Sequence, residues 1–168
     1  MDGASSMTDR TTTRGSRWLA IYLRNHEAAA SAGGDLFARM ARSQADRPWG
    51  PDLVAVAAEV AEDVATLRGL VRDLGVRPAT VSSLALRAGE RIGRLKPNGR
   101  LVRRSPLADL VEVEAGLDAV HAKACGWQAL RAAPGLDVPA DLDELSRRAE
   151  DQLRRMRALH ATVAAAVL

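Results

Sequence analysis

Apolar residues recur every three or four positions along four long stretches of the chain. These stretches are Ser16–Ser43, Pro51–Leu74, Pro106–Ala132 and Leu142–Val167. This spacing places the apolar side chains on one face of a helix and is typical of amphipathic helices that bury that face. The pattern therefore predicts an all-α fold with four long helices.

Each predicted helix carries one apolar stripe that we expect to be buried. On the first helix the stripe comprises Leu19, Tyr22, Leu23, His26, Ala30, Gly33, Phe37 and Met40. On the third helix, if the stripe is continuous, it comprises Leu107, Leu110, Val111, Glu114, Leu117, His121 and Ala124. Both stripes include polar side chains, so we expect His26 and Glu114 to point into the core.

Side chains that cap helices mark where the predicted elements begin. Ser16 and Ser105 are of the type that accepts hydrogen bonds from free backbone N–H groups at a helix N-terminus. Asp141, followed three residues later by Glu144, resembles a capping box at the start of the fourth helix. Residues 1–15 are rich in Ser, Thr, Gly and Asp. We therefore expect a disordered tail over 1–15 and a single domain over 16–168.

The lengths of the connections predict the topology. Short connections join the first helix to the second and the third to the fourth, so each pair is expected to form an antiparallel hairpin. The second and third helices are joined by the long segment Gly75–Ser105, within which residues 79–95 predict a short extra helix. Two helical hairpins joined by one long crossover are the connectivity of ferritin-like proteins. The sequence thus predicts an antiparallel four-helix bundle with ferritin-like connectivity and a short extra helix in the crossover.

Composition and charge narrow the function classes only slightly. The 168 residues are 47% hydrophobic and carry a net charge of +3. No apolar run is long enough for a transmembrane helix and no signal peptide is evident, so we expect a soluble, cytoplasmic protein. The single cysteine, Cys125, rules out an intrachain disulfide and is interpreted as a small core residue.

Carboxylates and histidines on the predicted helices allow two interpretations. Glu114, Asp118 and His121 lie at four- and three-residue spacings and so stack on one helix face. With Glu27 and Glu59 they are candidate ligands of a di-iron or di-manganese site, which is built from such groups in a bundle core. The other interpretation is a metal-free buried polar network that fixes helix register, formed by His26, Glu114, His121 and His160.

The chain resembles the ferritin-like fold at the level of connectivity, from Ser16 to Leu168. That resemblance implies a Glu-x-x-His pair on two helices, and the chain contains none. Its nearest counterpart is Asp118-Ala-Val-His121, while the residue three before His160 is Arg157, which cannot bind a metal. The metal motif is therefore degenerate.

The chain also resembles a group of actinobacterial helical proteins that have no assigned activity. The resemblance rests on the segments Tyr22–His26, Gly93–Leu101 and Ser105–Leu107. Of the 24 basic residues only Lys96 and Lys123 are lysines, a bias typical of GC-rich genomes. The resemblance supports the helical fold and implies no function.

A cluster of basic residues lies in the long crossover. Its anion-binding candidates are Arg87, Arg91, Arg94, Lys96 and Arg100. Such a cluster could bind phosphates, but no aromatic residues for base stacking lie between the cations. These cations have three possible partners: the acidic faces of other helices, an acidic protein or membrane surface, or nucleic acid.

The leading hypothesis is a non-enzymatic, ferritin-like structural or protein-interaction module, able to self-associate and without a resident cofactor. The second is a degenerate di-metal oxidase or metal-storage bundle containing iron or manganese. The third is a module that binds anions or nucleic acid through the crossover. No phosphate-binding loop, nucleophile elbow or His-Glu-x-x-His motif points to another enzyme class.

Overall fold

The computed structural model describes the backbone of residues 3–77 and 105–168, and side chains from Arg17 onward. In these two ranges the chain forms four α-helices and no strand. They are α1 (Gly3–Ser43), α2 (Gly50–Asp73), α3 (Pro106–Arg131) and α4 (Leu142–Val167). The all-α class and the four long helices are confirmed. The extra helix predicted for residues 79–95 lies outside the described residues.

Helices α2, α3 and α4 begin and end within one residue of the predicted bounds, although the side chain of Ser105 makes no capping hydrogen bond at the start of α3. The side chain of Asp141 accepts a hydrogen bond of 2.9 Å from the backbone N–H of Glu144 and so caps α4. Helix α1, in contrast, begins at Gly3 rather than at Ser16. A Ser residue can also lie inside a helix, since extending a helix that has already formed costs less than starting one. The predicted tail and domain boundaries stay predictions.

The helices pack as neighbours in four pairs: α1 with α2, α1 with α3, α2 with α4, and α3 with α4. Helices α2 and α3 therefore face each other across the interior. The core between the helices is apolar and includes the fully buried side chains of Phe37, Met40, Leu53, Val113 and Met156. Burying a side chain of this size stabilises the fold by about 1.5–3 kcal/mol. No helix in the described part of the chain is both long and apolar enough to cross a membrane.

The predicted stripe of α1 contains no exposed residue, whereas that of α3 is rotated relative to the buried face. The buried residues of α3 include Val113, Val120, Ala124, Trp127 and Leu130. Three residues of the predicted stripe, Leu107, Glu114 and His121, are exposed instead. The expectation that Glu114 points into the core is therefore wrong. His26 on α1 is half-buried.

Glycines allow the helices to approach closely. A Cβ atom on Gly33 would lie 3.5 Å from that of Ala119, and one on Gly34 would lie 3.4 Å from Val64. An added Cβ at either position would be in ordinary van der Waals contact with a neighbouring helix. Gly116 is more confined, because a Cβ there would lie 2.9 Å from Met40 Cε. The same Cβ would lie 3.1 Å from Met156 Cε and 3.2 Å from Phe37 Cζ.

Replacing Gly116 with Leu should lower the free energy of unfolding by about 1–3 kcal/mol, because the larger side chain overpacks this contact. The control is Gly69→Ala in α2, where no atom lies within 4 Å of an added Cβ. That change should raise the free energy of unfolding by about 0.5–1 kcal/mol, since alanine favours a helix more than glycine does. Urea unfolding measures both. Equal effects of the two changes would contradict the packing at Gly116.

Candidate functional site

A polar network lies in the interior where α2, α3 and α4 meet. The carboxylate of Asp63 on α2 is almost completely buried, and so is the amide of Gln152 on α4. The ammonium group of Lys123 on α3 donates hydrogen bonds to Asp63 and to the side-chain oxygen of Gln152. Because α2 and α3 are not neighbours, the long Lys123 side chain is what connects them across the interior.

Further cations and carboxylates extend the network toward the surface. Arg148 binds Asp63 and also donates a hydrogen bond of 3.1 Å to Glu62. Glu59 accepts a hydrogen bond of 3.0 Å from Gln152 Nε2 and forms an ion pair with Arg155. The buried carboxylate is therefore held by two cations, while Glu59 is held by one cation and one amide.

The ionisation of these groups follows from burial and pairing. Burial lowers the pKa of the Lys123 ammonium, and the Asp63 carboxylate opposes that shift. For Glu59, burial acts to raise the pKa, but hydrogen bonds from Arg155 and Gln152 outweigh it. The pKa of Glu59 is therefore below its ordinary value. Glu59 is ionised at neutral pH, as its pairing with Arg155 requires.

A second polar cluster fixes the turn between α1 and α2. The indole N–H of Trp49 donates a hydrogen bond of 2.8 Å to the fully buried side chain of Gln44. Gln44 in turn donates to Glu112 of α3 at 3.3 Å. Arg47 lies 2.8 Å from the buried carboxylate of Asp109, also on α3. This cluster attaches the turn to the start of α3 and serves a structural role.

An apolar cleft lies between α1, α2 and α3, next to the polar network. Its volume is about 80 Å³. Most of its wall consists of small and branched apolar side chains. Five residues with polar side chains are among those that line it: Tyr22, His26, Asp63, Lys123 and Trp127. Apolar walls with a few polar groups are typical of small-molecule sites.

The two polar side chains from α1 contact each other in this wall. The ring centroids of Tyr22 and His26 lie 4.3 Å apart, with the rings tilted by 52°. His26 also packs against α3, since a Cβ atom on Gly126 would lie 3.1 Å from His26 Nδ1. Burial lowers the pKa of His26. Its imidazole is therefore neutral at pH 7.

The predicted metal ligands do not come together. Glu59 belongs to the polar network, and Glu27 is half-buried on α1. Asp118 and His121 are exposed on the outer face of α3. Glu114 lies 3.2 Å from His160 near the surface, as an ion pair when the imidazole is protonated. Among the described residues, no group of three or more His, Cys, Asp or Glu side chains is placed to hold one metal ion.

Two predictions of buried side chains need correction. The predicted buried network of His26, Glu114, His121 and His160 is not one network, because Glu114 and His121 are exposed. Cys125 is also exposed, with Sγ 3.9 Å from Nε2 of His121. These errors share one cause, since all three residues lie on α3, whose buried face differs from the predicted one by a rotation about the helix axis.

The spacing of residues along the chain does not predict the whole network around Asp63 and Lys123. One signal does point to it, because Asp63 lies three residues after Val60 and four before Leu67, both on the buried stripe of α2. A carboxylate at that spacing must be buried with a cation. Lys123, between Ala122 and Ala124 on α3, carries no comparable signal. The basic candidates Arg87, Arg91, Arg94, Lys96 and Arg100 lie outside the described residues.

Comparison of the chain with protein-family models, with curated proteins and with solved structures finds no match in any of the three. The resemblances to ferritin-like and actinobacterial proteins therefore stay predictions. Function must be inferred from the polar network and the cleft.

Removing the buried carboxylate should lower the free energy of unfolding more than removing a surface charge does. Asp63→Ala leaves Lys123 and Arg148 without their shared partner, so the free energy of unfolding should fall by about 3–5 kcal/mol. The control is Arg154→Ala, which breaks an exposed ion pair with Asp151 and should cost less than about 1 kcal/mol. Chemical denaturation measures both. A loss at Asp63 as small as that at Arg154 would contradict the network.

Acidification should destabilise the protein through His26. Because the folded-state pKa of His26 lies below its ordinary value of 6.5, the unfolded chain binds the proton more tightly. Stability is thus lost as the pH falls through the unfolded-state pKa toward the folded-state value. In His26→Gln, the decline between about pH 7.5 and 5.5 should be shallower. Urea unfolding at several pH values measures it, and an unchanged slope would show that His26 is not responsible.

Proposed function

We propose that the protein is a non-enzymatic helical bundle with ferritin-like connectivity, acting as a structural or protein-interaction module. The observation that carries this proposal is the polar network around Asp63 and Lys123. In a di-metal bundle, interior carboxylates are available to bind cations from solution. Here the interior carboxylates are bound by cations of the chain itself.

The order of contacts supports the connectivity. Across α1 and α2, Gly34 lies opposite Val64, while the earlier Ser31 binds the later Arg68. Across α1 and α3, Gly33 lies opposite Ala119 and the earlier His26 opposite the later Gly126. Contacts in such reversed order are typical of antiparallel neighbours.

Since α2 and α3 both run opposite to α1, they run in the same direction. Two parallel helices that follow each other in a bundle require one long connection between them. A crossover of that kind is the ferritin-like connection. Residues 75–105 are long enough for it, because a helix rises about 1.5 Å per residue.

The charges of the network favour a structural over a catalytic role. Lys123 and Arg148 together hold Asp63, and these three side chains come from three helices. Such a network fixes how the helices are aligned, since a shift of one helix would leave a charge buried and unpaired. A catalytic carboxylate, by contrast, must be free to exchange protons or bind substrate.

An interaction role is supported by one exposed side chain. Trp18 on α1 is 60% exposed, with the guanidinium group of Arg17 5.9 Å from its ring centroid. Tryptophan and arginine are enriched where proteins bind each other. A second copy of the chain or another protein is the expected partner. Nucleic-acid binding through the crossover stays a prediction about residues outside the described ranges.

The experiment that separates this proposal from the di-metal alternative is elemental analysis. After exposure to Fe²⁺ or Mn²⁺ and desalting, the protein should retain far less than one metal ion per chain, because Glu59 is bound to Arg155 and Asp63 to Lys123. Chelators should leave the melting temperature unchanged. Stoichiometric metal that is lost in Glu59→Ala or Glu114→Ala would overturn the proposal in favour of an oxidase or metal-storage bundle.

A further inference from the structure

Two side chains of the kinds that bind zinc lie together on the outer face of α3. His121 and Cys125 are four residues apart, and both are exposed to solvent. Residues at this spacing lie one turn apart on the same face of a helix. The Nε2 atom of His121 lies 3.9 Å from Sγ of Cys125. An imidazole nitrogen and a thiolate sulfur are both zinc ligands.

The separation of these two atoms fits a single zinc ion. In proteins the bond from zinc to nitrogen is about 2.0–2.1 Å long and the bond to sulfur about 2.3 Å. With tetrahedral coordination, these bond lengths place the two ligand atoms about 3.6 Å apart. The observed separation of 3.9 Å is longer by about 0.3 Å, which a small rotation of either side chain closes. The helix backbone therefore needs no rearrangement for the two side chains to bind one ion.

Neither side chain is held by another partner. Apart from the contact between them, the side chains of His121 and Cys125 make no hydrogen bond or ion pair with the residues that the structure describes. In contrast, His160 lies 3.2 Å from Glu114, and the interior carboxylates are bound by cations. An ion bound by His121 and Cys125 therefore breaks no ion pair of the bundle.

The two ligand types select the metal. Thiolate and imidazole suit zinc, whereas hard cations such as Mg²⁺, Ca²⁺ and Mn²⁺ prefer oxygen ligands. Within the described ranges, no third His, Cys, Asp or Glu side chain is placed to join His121 and Cys125 around one ion. Zinc takes four ligands, so two positions are left for water.

We propose that His121 and Cys125 bind one Zn²⁺ ion at the surface of α3, through imidazole Nε2 and thiolate Sγ, with water in the two remaining positions. When the ion binds, the thiol proton passes to the buffer and the sulfur donates an electron pair to the metal. No atom is oxidised or reduced in this step.

The first test is calorimetric titration of the reduced protein with ZnCl₂, which should give one zinc ion per chain. Loss of a direct ligand should weaken binding by about tenfold or more, since loss of an outer-shell partner alone costs 10- to 100-fold. We expect this loss in Cys125→Ser and in His121→Gln. The matched control is His160→Gln, which removes an imidazole that has no cysteine beside it and should leave zinc affinity unchanged.

The second test uses Co²⁺ as a spectroscopic substitute for zinc. A sulfur-to-cobalt charge-transfer band in the near ultraviolet should appear in the unaltered protein and be absent in Cys125→Ser. In Cys125→His the band should also be absent, but zinc should still bind, because two histidines one turn apart on a helix hold zinc as well. A merely structural role of Cys125 would produce neither effect. Circular dichroism checks that each variant keeps its helices, as expected for exposed positions.

Four results would overturn the proposal. These are unchanged zinc affinity in Cys125→Ser or in His121→Gln, no charge-transfer band in the unaltered protein, equal weakening in His160→Gln, or one zinc ion per two chains, which would indicate a site shared between two copies. The measurement with Fe²⁺ and Mn²⁺ concerns the interior carboxylates and is read from Glu59→Ala, so this inference and the proposed function can fail independently.

Discussion

The ion pair between Lys123 and Asp63 is the interaction on which the arrangement of the helices depends most. It connects α2 and α3, which lie across the interior from each other and share no close backbone contact in the described ranges. A pair of this kind is costly to bury and is retained where it fixes one arrangement among several. Arg148 and Gln152 complete it from α4, so the network joins three helices at one level of the bundle.

The same network shapes the cleft beside it. Lys123 and Asp63 line the apolar space together with Tyr22 and His26 of α1. Small residues such as Ala30 and Gly33 then leave space that leucine side chains would otherwise fill. Trp127 is among the residues that line that space, and its buried indole N–H has no partner within the described part of the chain.

Near the turn between α1 and α2, the uncharged side chain of Gln44 connects neighbouring elements, as Lys123 does in the polar network. Gln44 accepts from the Trp49 indole and donates to Glu112, so the short turn between α1 and α2 is attached to α3. Gly116, between the two polar clusters along α3, lets Met40 and Met156 come close to the helix backbone. The bundle thus alternates polar attachment with close apolar packing along its length.

The sequence by itself determined the elements. Periodic apolar residues predicted the four helices, and Asp141 with Glu144 predicted the start of α4, because these signals act within a few residues along the chain. It could not determine which face of α3 is buried. Ala and Val occur on several sides of that helix, so both the stripe through Glu114 and the stripe through Val113 and Trp127 satisfy helical spacing.

Only the tertiary structure decided between these faces, since the choice depends on what the neighbouring helices offer. Gly116 gives room for side chains from α1 and α4, and Lys123 on the same helix meets a carboxylate on α2. The candidate site follows from that choice: Glu114, His121 and Cys125 turn to the surface, while Lys123 and Trp127 turn inward. A buried charge and its partner lie far apart in sequence, and local spacing carries no information about contacts of that range.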